Sequence, residues 1–422
     1  MLRIALLCKE RGWDRYPDFD IALAEARTRA ATEDGNPDLL QVTVARRTYD
    51  RWTRTGEMHK PRWETGRVLS FMFDVPAREL FEDVGEQTGP LDSFSPAAAR
   101  SVRPTPGVSP EALAVMVRKL DEVIEDYEEL GPHQLSRETL FVHTMLGALS
   151  GGHRSLREQE HLLHLAGRAS ALLGYMATAA GRFAAADAHL REAWTIATDL
   201  GDTDLRIWTL GTQAFRLYYL KRYEESEHAA RMAVDLAPTS PLAIRPLVNG
   251  RARALARMGR AREADHAIAA ALALSDRSDG LPDGVSSCIS LGPYSVPRTL
   301  ANAITAQLSL GNTRRVFELA DEIAPMVASS ESRWTRALVG LDLASAHLQG
   351  RSPDLEQAMR LGARALTADG MTPIRSVHQR GQELLDQASK WRRKPEVRDY
   401  AAQLHVWESD PRVARLAART TT

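Results

Sequence analysis

The chain has 422 residues and a formal net charge of −1, from 54 Lys and Arg against 55 Asp and Glu. Its 44% apolar and 26% charged residues are the proportions of a soluble globular protein, and the near balance of charge excludes a chain-wide basic or acidic role, so any nucleic-acid surface has to be a local patch. Cys8 and Cys288 are the only cysteines, which excludes a disulfide framework and a zinc site built on several thiolates, while 6% aromatics in an Ala-, Leu- and Arg-rich text favour helix over strand.

In chain order, apolar spacing predicts helices at residues 2–12, 19–32, 45–55 and 63–73. The apolar run at Ile4–Cys8 is too short for a signal-peptide core, and the most apolar stretch, residues 162–180, is interrupted by His164 and Arg168. A cytoplasmic protein without membrane contact is expected. Charge is uneven: residues 45–67 hold 7 basic side chains against 3 acidic ones, a local excess of +4. In that segment Thr43 reads as an N-cap, Gly56 as a C-cap and Pro61 as the start of the next helix. On the helix between them Tyr49 and Trp52 can face a core while Arg46, Arg47, Asp50 and Arg54 point outward, and Asp50 stands at helical spacing from Arg46 and Arg54. A short helix with a basic face fits the width of a DNA major groove.

Residues 85–109 cluster Gly, Pro and Ser without helical period and read as a linker. They separate a domain at 1–84 from one at 110–422. Beyond the linker nearly everything reads as helix pairs. Residues 111–130 carry an apolar stripe through Leu120, Val123 and Tyr127 and an acidic opposite face that includes Glu128. Breaks fall at Gly131-Pro132, Gly151-Gly152, Gly181, Gly201, Pro238, Gly259 and Gly311. Internal repetition is the strongest signal. GRFAAADAHLREA (181–193), KRYEESEHAARMA (221–233) and GRAREADHAIAAA (259–271) share a Gly-or-Lys turn, a small residue five later and an Ala twelve later. Their closing residues Ala193, Ala233 and Ala271 are 40 and 38 residues apart. Small residues such as Gly174 on the preceding helices let backbones approach and receive larger partners such as Leu190. After residue 275 comes an irregular break of about 20 residues, of a kind that is often functional or mobile. Two degenerate pairs follow at 297–328 and 331–368, then capping helices after 373. The stretch from Lys390 is moderately basic and reads as a solvated helix.

The string ARRTYDRWTRTG…GRVLSFMFDVPARELF resembles the second half of the XRE-type helix-turn-helix, with matches at Thr48, Arg51, Trp52, Gly56, Val75, Leu80 and Phe81. The repeats resemble the tetratricopeptide (TPR) unit of about 34 residues, at Leu173, Gly174, Ala186, Leu190 and Ala193, then Ala214, Tyr223, Ala233 and Pro238, then Ala252, Ala264 and Ala271. Together they resemble the transcription regulators of high-GC Gram-positive bacteria in which such a head precedes a TPR array. The resemblance implies an all-α protein, double-stranded DNA as partner, a homodimer, and an array whose concave face binds a peptide or small-molecule effector. It assigns DNA contacts to Arg46, Arg47, Thr48, Arg51, Arg54 and Lys60.

With first helices beginning near residues 167, 207, 245, 297 and 339, the inner-face positions are Tyr175, Trp208, Phe215, Tyr218 and Asn249, followed by Arg253, Arg298, Asn302 and His347. Asn amides can pair with a peptide backbone, Arg can hold a carboxylate, and aromatics supply area. The bland reading of the aromatics is core between repeats. Three Glu-x-x-His pairs, Glu158/His161, Glu225/His228 and Glu263/His266, read as a recurring solvated face, so no metal or other cofactor is expected. No phosphate-binding Gly loop, GxSxG elbow or HExxH motif occurs, which argues against an enzyme. The alternative function is a TPR interaction scaffold whose head does not read DNA.

Overall fold

The computed structural model describes residues 2–11, 13, 15–34, 36–55, 61–73, 75, 77–81, 110–150, 155–330, 332–350, 352–367, 373–409 and 413. All the elements among them are helical, and none of the helices is long and apolar enough to cross a membrane. The chain divides into two compact units, Met1–Gly89 and Pro90–Thr422. The division falls in the Pro- and Gly-rich stretch expected as a linker, which itself lies outside the described residues.

The first unit comprises α1 (Arg3–Glu10), α2 (Tyr16–Asp34), a 3-10 turn (Pro37–Gln41), α3 (Arg46–Asp50) with a π-helical continuation (Arg51–Thr55), α4 (Trp63–Phe73) and α5 (Ala77–Leu80). One core holds it together, with Ile4, Phe19, Leu23, Leu39, Tyr49, Leu69 and Leu80 buried. Cys8 belongs to that core, where burial pushes its thiol up to about 12. The second helix is longer than its pattern suggested. Arg67 on α4 holds its end through a fork to Asp34 at 2.7 and 2.6 Å, and Asn36 opens the next turn by accepting from the Asp38 N–H at 3.1 Å. The expected caps of α3 differ. Its N-cap is Ala45, with no side-chain bond, and Thr43 stands exposed before it; Gly56 lies outside the described residues.

The second unit is a succession of helix pairs. After α6 (Pro110–Ser150) come α7 (Leu156–Ala179) with α8 (Phe183–Asp199), and α9 (Thr203–Tyr219) with α10 (Tyr223–Leu236). A π-helical turn (Pro246–Ala252) running into α11 (Arg253–Arg257) pairs with α12 (Ala261–Asp276). Then follow α13 (Val296–Ser309) with α14 (Thr313–Ser329), α15 (Arg333–Gln349) with α16 (Leu355–Leu366), and finally α17 (Arg375–Gln387) and α18 (Pro395–Glu408). Within each pair the two helices pack together. Each second helix also packs on the next first helix, and each first helix on the next first helix.

The turns inside four pairs repeat one backbone solution. Gly181, Lys221, Gly259 and Gly311 all adopt positive φ, at 71°, 61°, 73° and 73°. The small residues five positions on, Ala186, Ser226 and Ala264, are fully buried, as are Ala193, Ala233 and Ala271 twelve positions on. A Cβ on Gly174 would lie 2.7 Å from two carbons of Leu190, so glycine there permits the close crossing read from the pattern. At Gly131, with φ 79° and ψ 175°, the backbone leaves the helical region just before Pro132, so α6 is two helical segments joined across a kink at the break read from the sequence. Helix α7 begins at Leu156, well before the expected 167, because Ser155 and Glu158 form a capping box. The other first helices begin at Thr203, Pro246, Val296 and Arg333.

The stack closes on itself. Helix α6 packs against α15 and α7 against α17, with the Tyr127 and Trp334 rings 5.3 Å apart at that junction. Only the first part of the break after residue 275 lies outside, with residues 276–284 mostly exposed. Residues 285–295 fill the middle, with Ile289 and Tyr294 buried. Their backbone is held from several sides: the Trp208 indole N–H donates to Ser290 O at 2.7 Å, Cys288 N donates to Glu128 at 2.7 Å, and Ser287 Oγ donates to Ile124 O at 3.2 Å.

Candidate functional site

The cationic segment of the first unit is built on a helix with two unlike faces. The chain enters α3 extended, pinned where Tyr16 OH and the Arg27 guanidinium donate to Val44 O and Val42 O at 2.8 and 3.3 Å. Thr48 N and Tyr49 N then close the first turn on Ala45 O. Tyr49 turns inward, packs on Phe19 with ring centres 4.9 Å apart and donates to Trp13 O at 2.8 Å. Trp52 packs edge-on against Phe81 at 5.0 Å. The opposite face carries the arginines: the side chains of Arg46 and Arg54 are 75% and 70% exposed, and Arg47 is exposed too. Thr48 and Arg51 are half-buried at the edge of that face. Asp50 sits between Arg46 and Arg54, with carboxylate oxygens 3.8 and 3.4 Å from their Nε atoms. Exposed pairs this long hold weakly, with about 0–1 kcal/mol each, so both guanidinium groups are available to another anion. Lys60 lies outside the described residues.

The second unit contains a cavity of about 70 Å³ at the centre toward which the first helices converge. Its wall takes Tyr127 and Glu128 from α6, Tyr175 from α7, Phe215 and Tyr219 from α9, and Asn249 and Arg253 from the third pair. Cys288 and Tyr294 come from the filling segment, Arg298 and Asn302 from α13, Trp334 from α15 and Arg380 from α17. Tyr175 and Phe215 stack with ring centres 5.0 Å apart and planes 3° from parallel. Arg298 donates to Glu128 at 2.8 Å, to Thr335 Oγ1 at 2.9 Å and to Ser286 O at 2.8 Å. Ser332 Oγ also donates to Glu128, so this one carboxylate joins α6 to α13, α15 and the filling segment. Arg380 donates to Asp342 at 2.9 Å, and Thr305 donates to the same oxygen at 2.7 Å. Burial pushes the Asp342 carboxyl up, with Arg380 opposing it. Burial also pushes the Tyr218 phenol up, but the adjacent Arg253 and Arg257 guanidinium groups prevail and bring it below its ordinary value.

Of the nine inner-face residues read from the sequence, Tyr175, Phe215, Asn249, Arg253, Arg298 and Asn302 line this cavity. Trp208 and Tyr218 lie behind the wall. Trp208 supports the filling segment and the Arg245 guanidinium, 4.3 Å from its ring, while Tyr218 lies under Arg253 at 4.1 Å. His347 does not join them; near the C-terminal end of α15 it packs on Phe317 of α14 at 4.9 Å. Sequence reasoning missed Tyr127, Glu128, Tyr294, Trp334 and Arg380. The Glu-x-x-His glutamates are engaged locally, Glu225 by Arg222 and Glu263 by Arg260. Among the described residues no group of three or more His, Cys, Asp or Glu is placed to hold a metal ion. No protein-family model matches the chain, and no curated protein sequence matches it.

Proposed function

We propose that the chain is a transcription regulator that reads duplex DNA through an XRE-like helix-turn-helix head and senses an effector through a TPR-like array. The observation that carries this reading is the division of α3 and its continuation, with Tyr49 and Trp52 in the core and Arg46, Arg47 and Arg54 in water. A helix so anchored presents a row of guanidinium groups at the width of the major groove. Arg46, Arg47 and Arg54 contact phosphates and base edges, with Thr48 and Arg51 at the margin; Lys60 belongs to the same patch in sequence. Asp50 orders Arg46 and Arg54 in the free protein and yields them to phosphate, which is the stronger partner for a fork of N–H donors. The recurring positive-φ turns, the buried small residues and the alternate packing of first and second helices support the TPR reading of the array. The protein acts as a homodimer, with its two recognition helices about 34–36 Å apart or a multiple of that.

The test is selection of genomic fragments by the purified full-length protein at two salt concentrations, followed by gel-shift titration of the enriched site. Arg46→Ala with Arg47→Ala is expected to weaken binding and to flatten the dependence of log K on log salt by about 0.9 for each phosphate that is no longer neutralised. An identical titration for the double variant removes these residues from the interface. Absence of any enriched site, with a protein partner recovered instead, supports the scaffold reading.

A further inference from the structure

The buried charge around the cavity does not balance. Glu128 is matched by Arg298 at 2.8 Å, Asp342 by Arg380 at 2.9 Å and Glu383 by Arg257 at 2.7 Å. Arg253 and Arg245 have no carboxylate within ion-pair distance among the described residues, yet each is only 3% exposed. Arg253 forms part of the cavity wall. It donates to Asn249 Oδ1 and, at 3.2 Å, to the Tyr219 hydroxyl, and its Nε finds no partner. Arg245 stands just behind, among the rings of Trp208, Tyr175 and Tyr294; it donates to Trp208 O at 3.2 Å and to Thr212 Oγ1 at 2.8 Å, and its Nε is likewise without a partner. Amide, phenol and ring dipoles stabilise a cation but carry no full negative charge. Asp342 acts on Arg253 at longer range, but Thr305 and Arg380 already occupy it. A buried guanidinium without a counter-ion is a costly arrangement, which an anion in the adjoining space relieves.

The cavity also limits what that anion can be. A peptide following the inner face would need Trp208, Arg298 and Glu128, and these already hold the chain's own Ser290, Ser286 and Cys288. About 70 Å³ remains. One water needs about 10–15 Å³ on this measure, so the space takes roughly five non-hydrogen atoms. Ala179, Phe215, Leu338 and Ile374 make part of the wall apolar. Asn249 Nδ2 has only a 3.5 Å contact to Tyr294 and can donate more strongly elsewhere.

We propose that this cavity binds a small carboxylic acid with a short apolar tail, its carboxylate seated on Arg253 and Asn249. The proposal rests on the effector half of the regulator reading. Its test uses the full-length protein without DNA, so a failure to select DNA and a failure to bind acid are read separately. Thermal unfolding and tryptophan fluorescence are followed while propionate or butyrate is added at constant ionic strength, with propionamide, inorganic phosphate and chloride as comparisons. A saturable rise in melting temperature and change in fluorescence with the acids, absent with the amide and with chloride, is the expected result. Arg253→Gln is expected to weaken acid binding at least tenfold, while Arg231→Gln on the outer helix α10 leaves it unchanged. The proposal is overturned if the acids give no saturable change, if the amide matches them, if phosphate alone binds, or if Arg253→Gln binds the acids as tightly as the parent. Should Arg253→Gln not fold, the acid and amide comparison on the parent protein decides.

Discussion

At the scale of single residues, burial sets chemistry that no local pattern reveals. His189 on α8 lies wholly inside the second unit, with its ring edge-on to His143 at 6.1 Å. Burial, assisted by His143, lowers its pKa from 6.5 to about 4. The folded state then binds fewer protons than the unfolded one between those values. Stability is therefore complete above about pH 6.5 and declines as pH falls toward 4, by roughly 3 kcal/mol from the pKa difference. Urea midpoints at pH 7 and pH 4.5 check this, and His189→Asn is expected to flatten that acid limb. The sequence showed His189 only as a histidine inside a repeat. Arg46, Arg47, Tyr49 and Trp52 were legible because helical period alone separates an inner from an outer face. Glu128 was not, because its helix carries an acidic face that looks solvated, and its partner Arg298 lies 170 positions away.

At the scale of elements, the repeat turns were legible because a backbone constraint and a packing constraint fall at fixed offsets. Lys221 is the exception that tests the rule. It occupies, at φ 61°, the left-handed conformation that glycine takes at 181, 259 and 311. A side chain there costs about 1–2 kcal/mol, partly offset by the greater unfolded-state freedom of glycine. Lys221→Gly is thus expected to raise stability by up to about 1 kcal/mol, as read from denaturant midpoints. The two π-helical turns were not legible. Arg51–Thr55 continues the cationic helix, and Pro246–Ala252 carries Asn249 toward the cavity. Each widens a helix where a candidate site needs side chains re-aimed, a use to which such turns are often put. No residue type marks them in advance, since they arise from the packing around them.

At the scale of the whole molecule, the division into two units and the alternation of helix pairs were legible, whereas closure of the second unit was not. Closure depends on α6 meeting α15 and α7 meeting α17, contacts between segments far apart in the chain. Glu128 is central to it, through Arg298, Ser332 and Cys288 N. Removing one member of a buried pair leaves the other charge stranded, at about 3–5 kcal/mol. Glu128→Ala is expected to destabilise the second unit by that order in urea titrations. Faster amide exchange should concentrate at residues 285–295, with exchange in the outer helix α10 little altered.

That meeting of first and last helices has a further consequence. An open solenoid tolerates duplication or loss of a unit, because each module needs only its neighbours. Here an added or missing pair would part the seam between α6 and α15 and dissolve the central chamber with it. The number of modules in this protein is thereby set by its geometry, as the number of staves is set in a barrel, and natural variants should differ in side chains and loops before they differ in module count.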